Sequence, residues 1–312
     1  MKVVGIIAEY NPFHNGHLYQ LEEAKRMTGA DYVIVVMSGN YTQRGVPSFL
    51  DKYTRTEMAL QCGADLVLEL PVYYACASAQ YFARGAVDLL HAIGVVDVLS
   101  FGSECGEIQL LEEIAIKLQE ETSDFSETLQ KNLRCGYAYP KAFSNAFIHC
   151  YPKEKKMHES IMAPNNLLGI EYLKALHLRK SSIQPTTIKR EGSQYLDESL
   201  TSTKSSALAI RSTLSKKHSI ESIQEQVPQV VLALLKEQQK SLSFIETNDF
   251  SQLLALQLRV HWKEGYTKFA DVSEGLSNRM QNQLIHFHTF EDFCSLVKTK
   301  EYTYARISRC LL

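Results

Sequence analysis

The 312-residue sequence is poor in the features that mark secreted, membrane-spanning and metal-stapled proteins. Its seven cysteines, at positions 62, 76, 105, 135, 150, 294 and 310, include no CxxC pair and no close Cys/His spacing. Neither a disulfide framework nor a zinc site is signalled, and a reducing, cytoplasmic setting follows. His286 and His288 stand one residue apart without further ligands, so no metal site is expected. The opening apolar stretch meets Glu9 too soon for the hydrophobic region of a signal peptide, and no run approaches the ~20 apolar residues of a membrane span. Glycine and proline are scarce, at 15 and 8 residues, which excludes collagen-like and linker-like chains. Net charge is almost absent: 33 Lys and Arg against 35 Asp and Glu leave −2, which by itself argues against a polyanionic partner.

What is present is 45% hydrophobic residues in a chain long enough for about two domains of ~150 residues each. The charge is uneven. Residues 1–150 carry 11 Lys and Arg against 18 Asp and Glu, whereas residues 151–217 carry 12 against 6. A basic face on an acidic body is one reading; a solvated surface with ordinary lysines is the other.

Val3 to Ala8 is a continuous run rich in β-branched residues, the pattern of a strand buried in a parallel sheet. A loop through Asn11-Pro12-Phe13-His14-Asn15-Gly16-His17 follows, then helical spacing from Leu18 to Met27 and a second buried strand over Tyr32–Met37. Right-handed crossover makes this β-loop-α-β unit the opening of a doubly wound parallel sheet. The pattern continues with a helix over Lys52–Cys62, a strand over Leu66–Leu70, a helix over Ala79–Ile93 and a strand over Val96–Phe101 that delivers Gly102 at its end. Helices are predicted within 107–150 and over Asn166–Leu178, a strand over Thr186–Arg190, and helices over Val227–Lys240, Phe250–Val260 and Arg279–Phe287. The expected architecture is an α/β catalytic domain over 1–215 and a helical domain over 216–312. The last residues, Tyr302 to Leu312, read as a helix that stops without Gly, Pro or a polar cap, as though cut within the element.

Two histidines around a glycine, His14-Asn15-Gly16-His17, sit where a buried strand gives way to a helix, a place suited to nucleotidyl transfer. Backbone N–H groups and the positive dipole end at a helix start favour phosphate oxygens. Glycine admits the nucleotide close to the backbone, and two imidazoles can donate hydrogen bonds to an α-phosphate as its charge builds. A pair of satisfied loop histidines is the plain alternative.

The stretch Asn11–His17 resembles the signature of the HxGH nucleotidylyltransferase superfamily, and Ser202-Thr203-Lys204-Ser205-Ser206-Ala207-Leu208-Ala209-Ile210-Arg211 resembles its second motif, a serine-rich turn before Ile-Arg. A closer resemblance is to the bacterial tRNA(Met) cytidine acetate ligase family. It rests on Gly5–His17, Met37–Gly45, Phe101–Glu104, Pro164–Gly169, Ile188–Arg190, Asp271–Leu276 and Tyr302–Arg306, which span the chain. The resemblance implies a Rossmann-like nucleotidylyltransferase domain and an enzyme that joins ATP and acetate into acetyl-adenylate. The acetyl group then passes to N4 of the wobble cytidine of elongator tRNA(Met). By position it carries over His14 and His17 as catalytic residues. The ATP site would comprise Ile7, Ala8, Glu9, Tyr10, Asn11, Pro12, Phe13, His14, Asn15, Gly16, His17, Leu18, Tyr19 and Gln20, with Gly102, Asn165 and Arg190. Ser205, Ser206 and Arg211 are candidates for a triphosphate turn. Lys153, Lys155, Lys156, Arg306 and Arg309 are candidate tRNA contacts, and ATP is expected to bring Mg²⁺ without dedicated protein ligands. Family members are longer, so tRNA contacts carried beyond Leu312 would leave acetate activation intact here and acetylation weak. The alternatives are a nucleotidylyltransferase joining AMP to a small phosphorylated acceptor, which needs an acceptor-phosphate site, and a non-catalytic nucleotide- or tRNA-binding module.

Overall fold

Five short strands form one parallel sheet in the order β3-β2-β1-β4-β5. They are β1 (Val3–Ala8), β2 (Tyr32–Ser38), β3 (Leu66–Leu70), β4 (Val98–Ser103) and β5 (Gln184–Lys189), each paired in parallel with its neighbour. The computed structural model describes the chain except for residues 121, 136, 138, 153, 162, 191–199, 201–204, 216–218 and 242–243. Lys153 and the Ser202–Lys204 part of the serine-rich turn therefore lie outside the described residues, as do the side chains of Lys155 and Lys156.

An all-parallel sheet must be covered on both faces, and the alternation along β1 shows how. Val3 and Ile7 enter one core with α4 (Ala79–Ile93), α5 (Ile108–Gln119) and α9 (Pro164–Arg179). Val4 and Ile6 enter the opposite core with α1 (Asn15–Thr28), α2 (Lys52–Gln61) and α10 (Ala207–Ser215). A short α3 (Val72–Ala75) links β3 to α4, and α6 (Ser123–Arg134), α7 (Tyr139–Cys150) and α8 (Lys155–Ser160) lie between α5 and α9. The expected doubly wound sheet is present. Its direction of winding reverses between β1 and β4.

Local boundaries differ from the sequence pattern for identifiable reasons. The first helix starts at Asn15, three residues before its apolar periodicity, because His14 caps it with its own ring. β4 starts at Val98 because Asp97 turns the chain, its carboxylate accepting from Val3 N at 2.7 Å. β5 includes Pro185, which an edge strand tolerates.

A third core, from Leu254 to Leu311, is built by α12 (Ser251–Val260), α13 (Glu274–Gln283), α14 (Phe290–Val297) and α15 (Tyr304–Leu311). Residues 220–235, including the start of α11 (Gln229–Ser241), pack instead into the second-face core, with Ile220, Ile223, Val227, Val231 and Leu235 buried beside Met58. The helical module docks on the loop after β2. Gly45 adopts φ 75°, and a Cβ there would stand 2.3 Å from Arg309 N, so only glycine admits α15 this closely. Ser308 Oγ donates to Gly45 O at 2.5 Å.

Candidate functional site

A cleft of about 390 Å³ opens beyond the carboxyl ends of β1 and β4, where the winding reverses and an open parallel sheet leaves room for a ligand. Of the 7–20 segment, Ile7, Ala8, Glu9, Tyr10, Asn11, His14, His17 and Gln20 line it, while Gly16 and Tyr19 line a narrower extension of about 40 Å³. Pro12, Phe13, Asn15 and Leu18 line neither space. Phe13 is buried against the rings of Tyr10 and His17, at 4.7 and 5.6 Å between centroids, and Asn15 Nδ2 donates to Glu225 O at 2.8 Å.

The two histidines form a reciprocal cap. Gly16 N donates to His14 Nδ1 at 3.0 Å, and His14 N donates to His17 Nδ1 at 3.3 Å, with the rings stacked 3.6 Å apart. A ring nitrogen that accepts a backbone N–H must hold its lone pair there, so in both neutral imidazoles the proton sits on Nε2. Burial lowers the His14 pKa to about 3, helped by the positive charges of Arg190 and Arg211. Burial also holds His17 well below the usual histidine range, with His14 and Arg190 adding to the effect. At neutral pH the site therefore presents two uncharged N–H donors.

Cations and a second helix start complete this corner. Arg190 follows β5, and its stem lies over Gly102, where a Cβ would stand 3.3 Å from Arg190 Cγ. Ser205 and Ser206 are buried, and Ser206 Oγ accepts from Ala209 N at 3.0 Å, capping α10. Arg211, one turn further along, donates from Nη1 to Asn11 O at 2.6 Å and so ties α10 to the histidine loop. The N-terminal ends of α1 and α10 thus meet at one place.

The opposite wall begins at α9. Glu104 accepts from Asn165 N at 3.1 Å, Asn165 Nδ2 at 2.6 Å and Asn166 N at 2.8 Å. Asn166 is buried and returns the contact, its Oδ1 accepting from Glu104 N at 2.7 Å. Asn165 lines the cleft with Phe82, Phe101, Leu168 and Tyr172. Sequence reasoning assigned no role to Glu104. The signal was the quoted Phe101–Glu104 stretch, but its partners lie 61 and 62 residues away.

Thr42, Gln43, Arg44 and Val46 close the third side. Their loop is held by Arg55, fully buried, which donates to Glu9 O at 2.6 Å, Ser38 O at 3.0 Å, Leu50 O at 3.1 Å and also to Gly39 O. Burial lowers the Arg55 pKa to about 10, which leaves it a cation at neutral pH. Glu9 Oε1 accepts from Gln43 N at 2.7 Å.

The arginines of α15 are placed differently. Arg306 pairs with Asp271 at 3.2 Å, donates to Asp271 O at 3.0 Å and lies over the Tyr302 ring, while Arg309 stands 4.0 Å from the same carboxylate. Neither lines the cleft. Among the described residues no group of three or more His, Cys, Asp or Glu side chains converges as a metal site, and no helix is long and apolar enough to cross a membrane.

Residues 1–312 match the family described as HIGH Nucleotidyl Transferase. The tRNA(Met) cytidine acetate ligase of Acetivibrio thermocellus is 43% identical over 316 residues, covering 100% of this chain and 76% of that protein. The protein of the same name from Caldicellulosiruptor saccharolyticus is 43% identical over 314 residues, with the same coverage. The apo crystal structure of Thermotoga maritima TmcAL superposes with a TM-score of 0.92 at 35% identity, covering 100% of this chain and 74% of that one. TmcAL bound with alpha-thio ATP gives 0.89 and 34%, with the same coverage. The chain thus spans about three quarters of the length of the relatives it matches.

Proposed function

The chain belongs to the HIGH nucleotidyl transferase family and, within it, to the tRNA(Met) cytidine acetate ligases; from that premise we propose that it activates acetate with ATP and acetylates a tRNA(Met) cytidine in the cytoplasm. In the first step an acetate oxygen attacks the α-phosphorus of ATP, forming the acyl–phosphate bond as the bond to pyrophosphate breaks. In the second step N4 of the wobble cytidine of elongator tRNA(Met) attacks the acetyl carbonyl. The C–N bond forms, AMP leaves and the amine loses a proton.

One observation carries this assignment: His14 and His17 are held by backbone N–H groups in the tautomer that places the proton on Nε2 of both rings, uncharged, where they line the cleft at the junction of two helix starts. Donors fixed before the reaction stabilise charge that builds on phosphate oxygens at no cost of reorganisation. Arg190 and Arg211, with Ser205 and Ser206, suit the β- and γ-phosphates, while Asn165 suits the adenosine. This corner is built of donors and cations rather than carboxylates, which fits Mg²⁺ held by the triphosphate and water; when bound, the ion would neutralise phosphate charge. Lys153, Lys155, Lys156, Arg306 and Arg309 remain proposed phosphate contacts for the tRNA.

The test is incubation with ATP, labelled acetate and tRNA, followed by nucleoside analysis. Labelled N4-acetylcytidine, together with acetate-dependent exchange of pyrophosphate into ATP, is the expected result. Exchange that needs a phosphorylated acceptor instead of acetate would overturn the proposal.

A further inference from the structure

A second surface continues from the cleft toward the β3 edge of the sheet, and it is aromatic. Tyr53 is 75% exposed, Tyr73 86%, Tyr74 39% and Tyr81 56%. Tyr53 stands in the first turn of α2, Tyr73 and Tyr74 on α3, and Tyr81 in the first turn of α4, so all four follow the carboxyl ends of β2 and β3. Among the described residues only two other tyrosines are exposed to this degree, and one of them, Tyr32, opens β2 at the opposite end of the sheet.

The surface is continuous with the cleft. Ala79 and Phe82, on either side of Tyr81, line the cleft, and Gln43 of its third wall donates to Ala77 O at 3.3 Å. Its charge also departs from its surroundings. In the acid-rich first 150 residues, the stretch from Pro71 to Val87 contains no carboxylate, and its one charged side chain, Arg84, is exposed. Glu69 at the border is ion-paired with Lys52 at 2.5 Å, and Arg44 on the adjoining loop is exposed.

A shelf of exposed aromatic rings beside a reaction cleft marks a binding surface, and on its α3 and α4 part, where the one carboxylate, Asp88, is paired with Arg179, the lack of unpaired negative charge suits a polyanion. A cytidine whose N4 must enter the cleft has to leave its stack, and its unpaired neighbours then lose a stacking partner that tyrosine rings supply. We propose that this tyrosine shelf is the docking platform for the unpaired nucleotides flanking the target cytidine, with Tyr73 and Tyr81 as the principal stacking rings. The inference rests on the RNA-acetylating activity proposed above.

The test compares Tyr73→Ala/Tyr81→Ala with Tyr73→Phe/Tyr81→Phe. Two readouts are taken on each: acetate-dependent pyrophosphate exchange without RNA, and the KM for tRNA in acetylation. The alanine pair is expected to raise the tRNA KM about tenfold or more while exchange stays at the wild-type level, because each lost base–aromatic stack costs roughly that much. The phenylalanine pair, which keeps the rings, should stay near wild type. An unchanged tRNA KM in the alanine pair overturns the shelf. An equal loss in both pairs overturns it too, since hydroxyls rather than rings would then be responsible. A changed oligomeric state in the alanine pair would make the surface a contact between copies of this chain and overturn it as well. Wild-type protein that fails to acetylate tRNA would sink the activity itself, and this inference with it; wild-type acetylation beside an unaffected alanine pair sinks the shelf alone.

Discussion

Two pairs of basic residues, His14/His17 at the start of α1 and Arg306/Arg309 along α15, share the same spacing, yet they occupy opposite electrostatic situations. His14 is buried and His17 half-buried beside arginines, which strips them of charge and leaves two neutral donors in a cleft. The arginines gather around Asp271, a carboxylate that is half exposed. Within α15 a spacing of three puts both side chains on one helix face, whereas His14 is the extended N-cap of α1 and meets His17 through their reciprocal cap. What each pair meets decides the charge it presents.

The sharpest way to test the contrast is to remove one member of the histidine pair. His17→Ala is expected to lower acetyl-adenylate formation about 10²–10³-fold, the usual loss for one transition-state donor, while circular dichroism and melting show a folded protein. Unchanged adenylate synthesis would place His17 among ordinary capping residues.

Arg190→Ala comes next. Loss of a charge-assisted hydrogen bond to phosphate, worth about 1.5–3 kcal/mol, should weaken ATP binding roughly ten- to a hundredfold in calorimetry. A wild-type ATP dissociation constant would return Arg190 to the protein surface.

Acid offers a third handle. Because folding depresses the pKa of His14 to about 3, the unfolded chain binds more protons below the ordinary histidine value near 6.5. Stability from this group is complete above pH 6.5 and declines toward pH 3, by at most about 1.4 kcal/mol per pH unit, and His17 adds a decline of the same sign. Denaturation midpoints measured between pH 7 and 5 should fall less steeply in His14→Ala than in the wild type.

Asp271→Asn should have the smallest effect. The ion pairs it breaks are partly exposed, so a loss of less than about 1 kcal/mol is expected, with acetate-dependent pyrophosphate exchange unchanged. A fall in exchange would show that the helical module controls the cleft through Gly45 and the loop that carries Arg44.

How much of this was legible beforehand depends on how far apart the interacting residues lie. β1, β2 and α4 were readable because an unbroken apolar run and a 3.6-residue period are local signals. The start of α1 was not, since a histidine side chain replaces the usual Ser, Thr, Asp or Asn cap. Nor was the division of the cores: a helical period over Val227–Lys240 cannot reveal that Val231 and Leu235 join the second-face core beside α2 while Leu254 begins another core.

The sequence by itself determined the strands of a doubly wound parallel sheet and the HxGH loop at the end of β1, because these depend on periodicity and on residues adjacent in the chain. Tertiary structure alone decided what the loop became. Arg211 reaches Asn11 across 200 positions, Glu104 sets Asn165 from 61 positions away, and Ser308 grips Gly45 across 263. Burial, aided by the charge of Arg190 and, at His14, of Arg211, removes the histidines' charge and leaves the two Nε2–H donors, whereas Asp271 gives an equally spaced arginine pair a carboxylate partner. Dielectric surroundings and distant neighbours set protonation and pairing, and no local pattern encodes either.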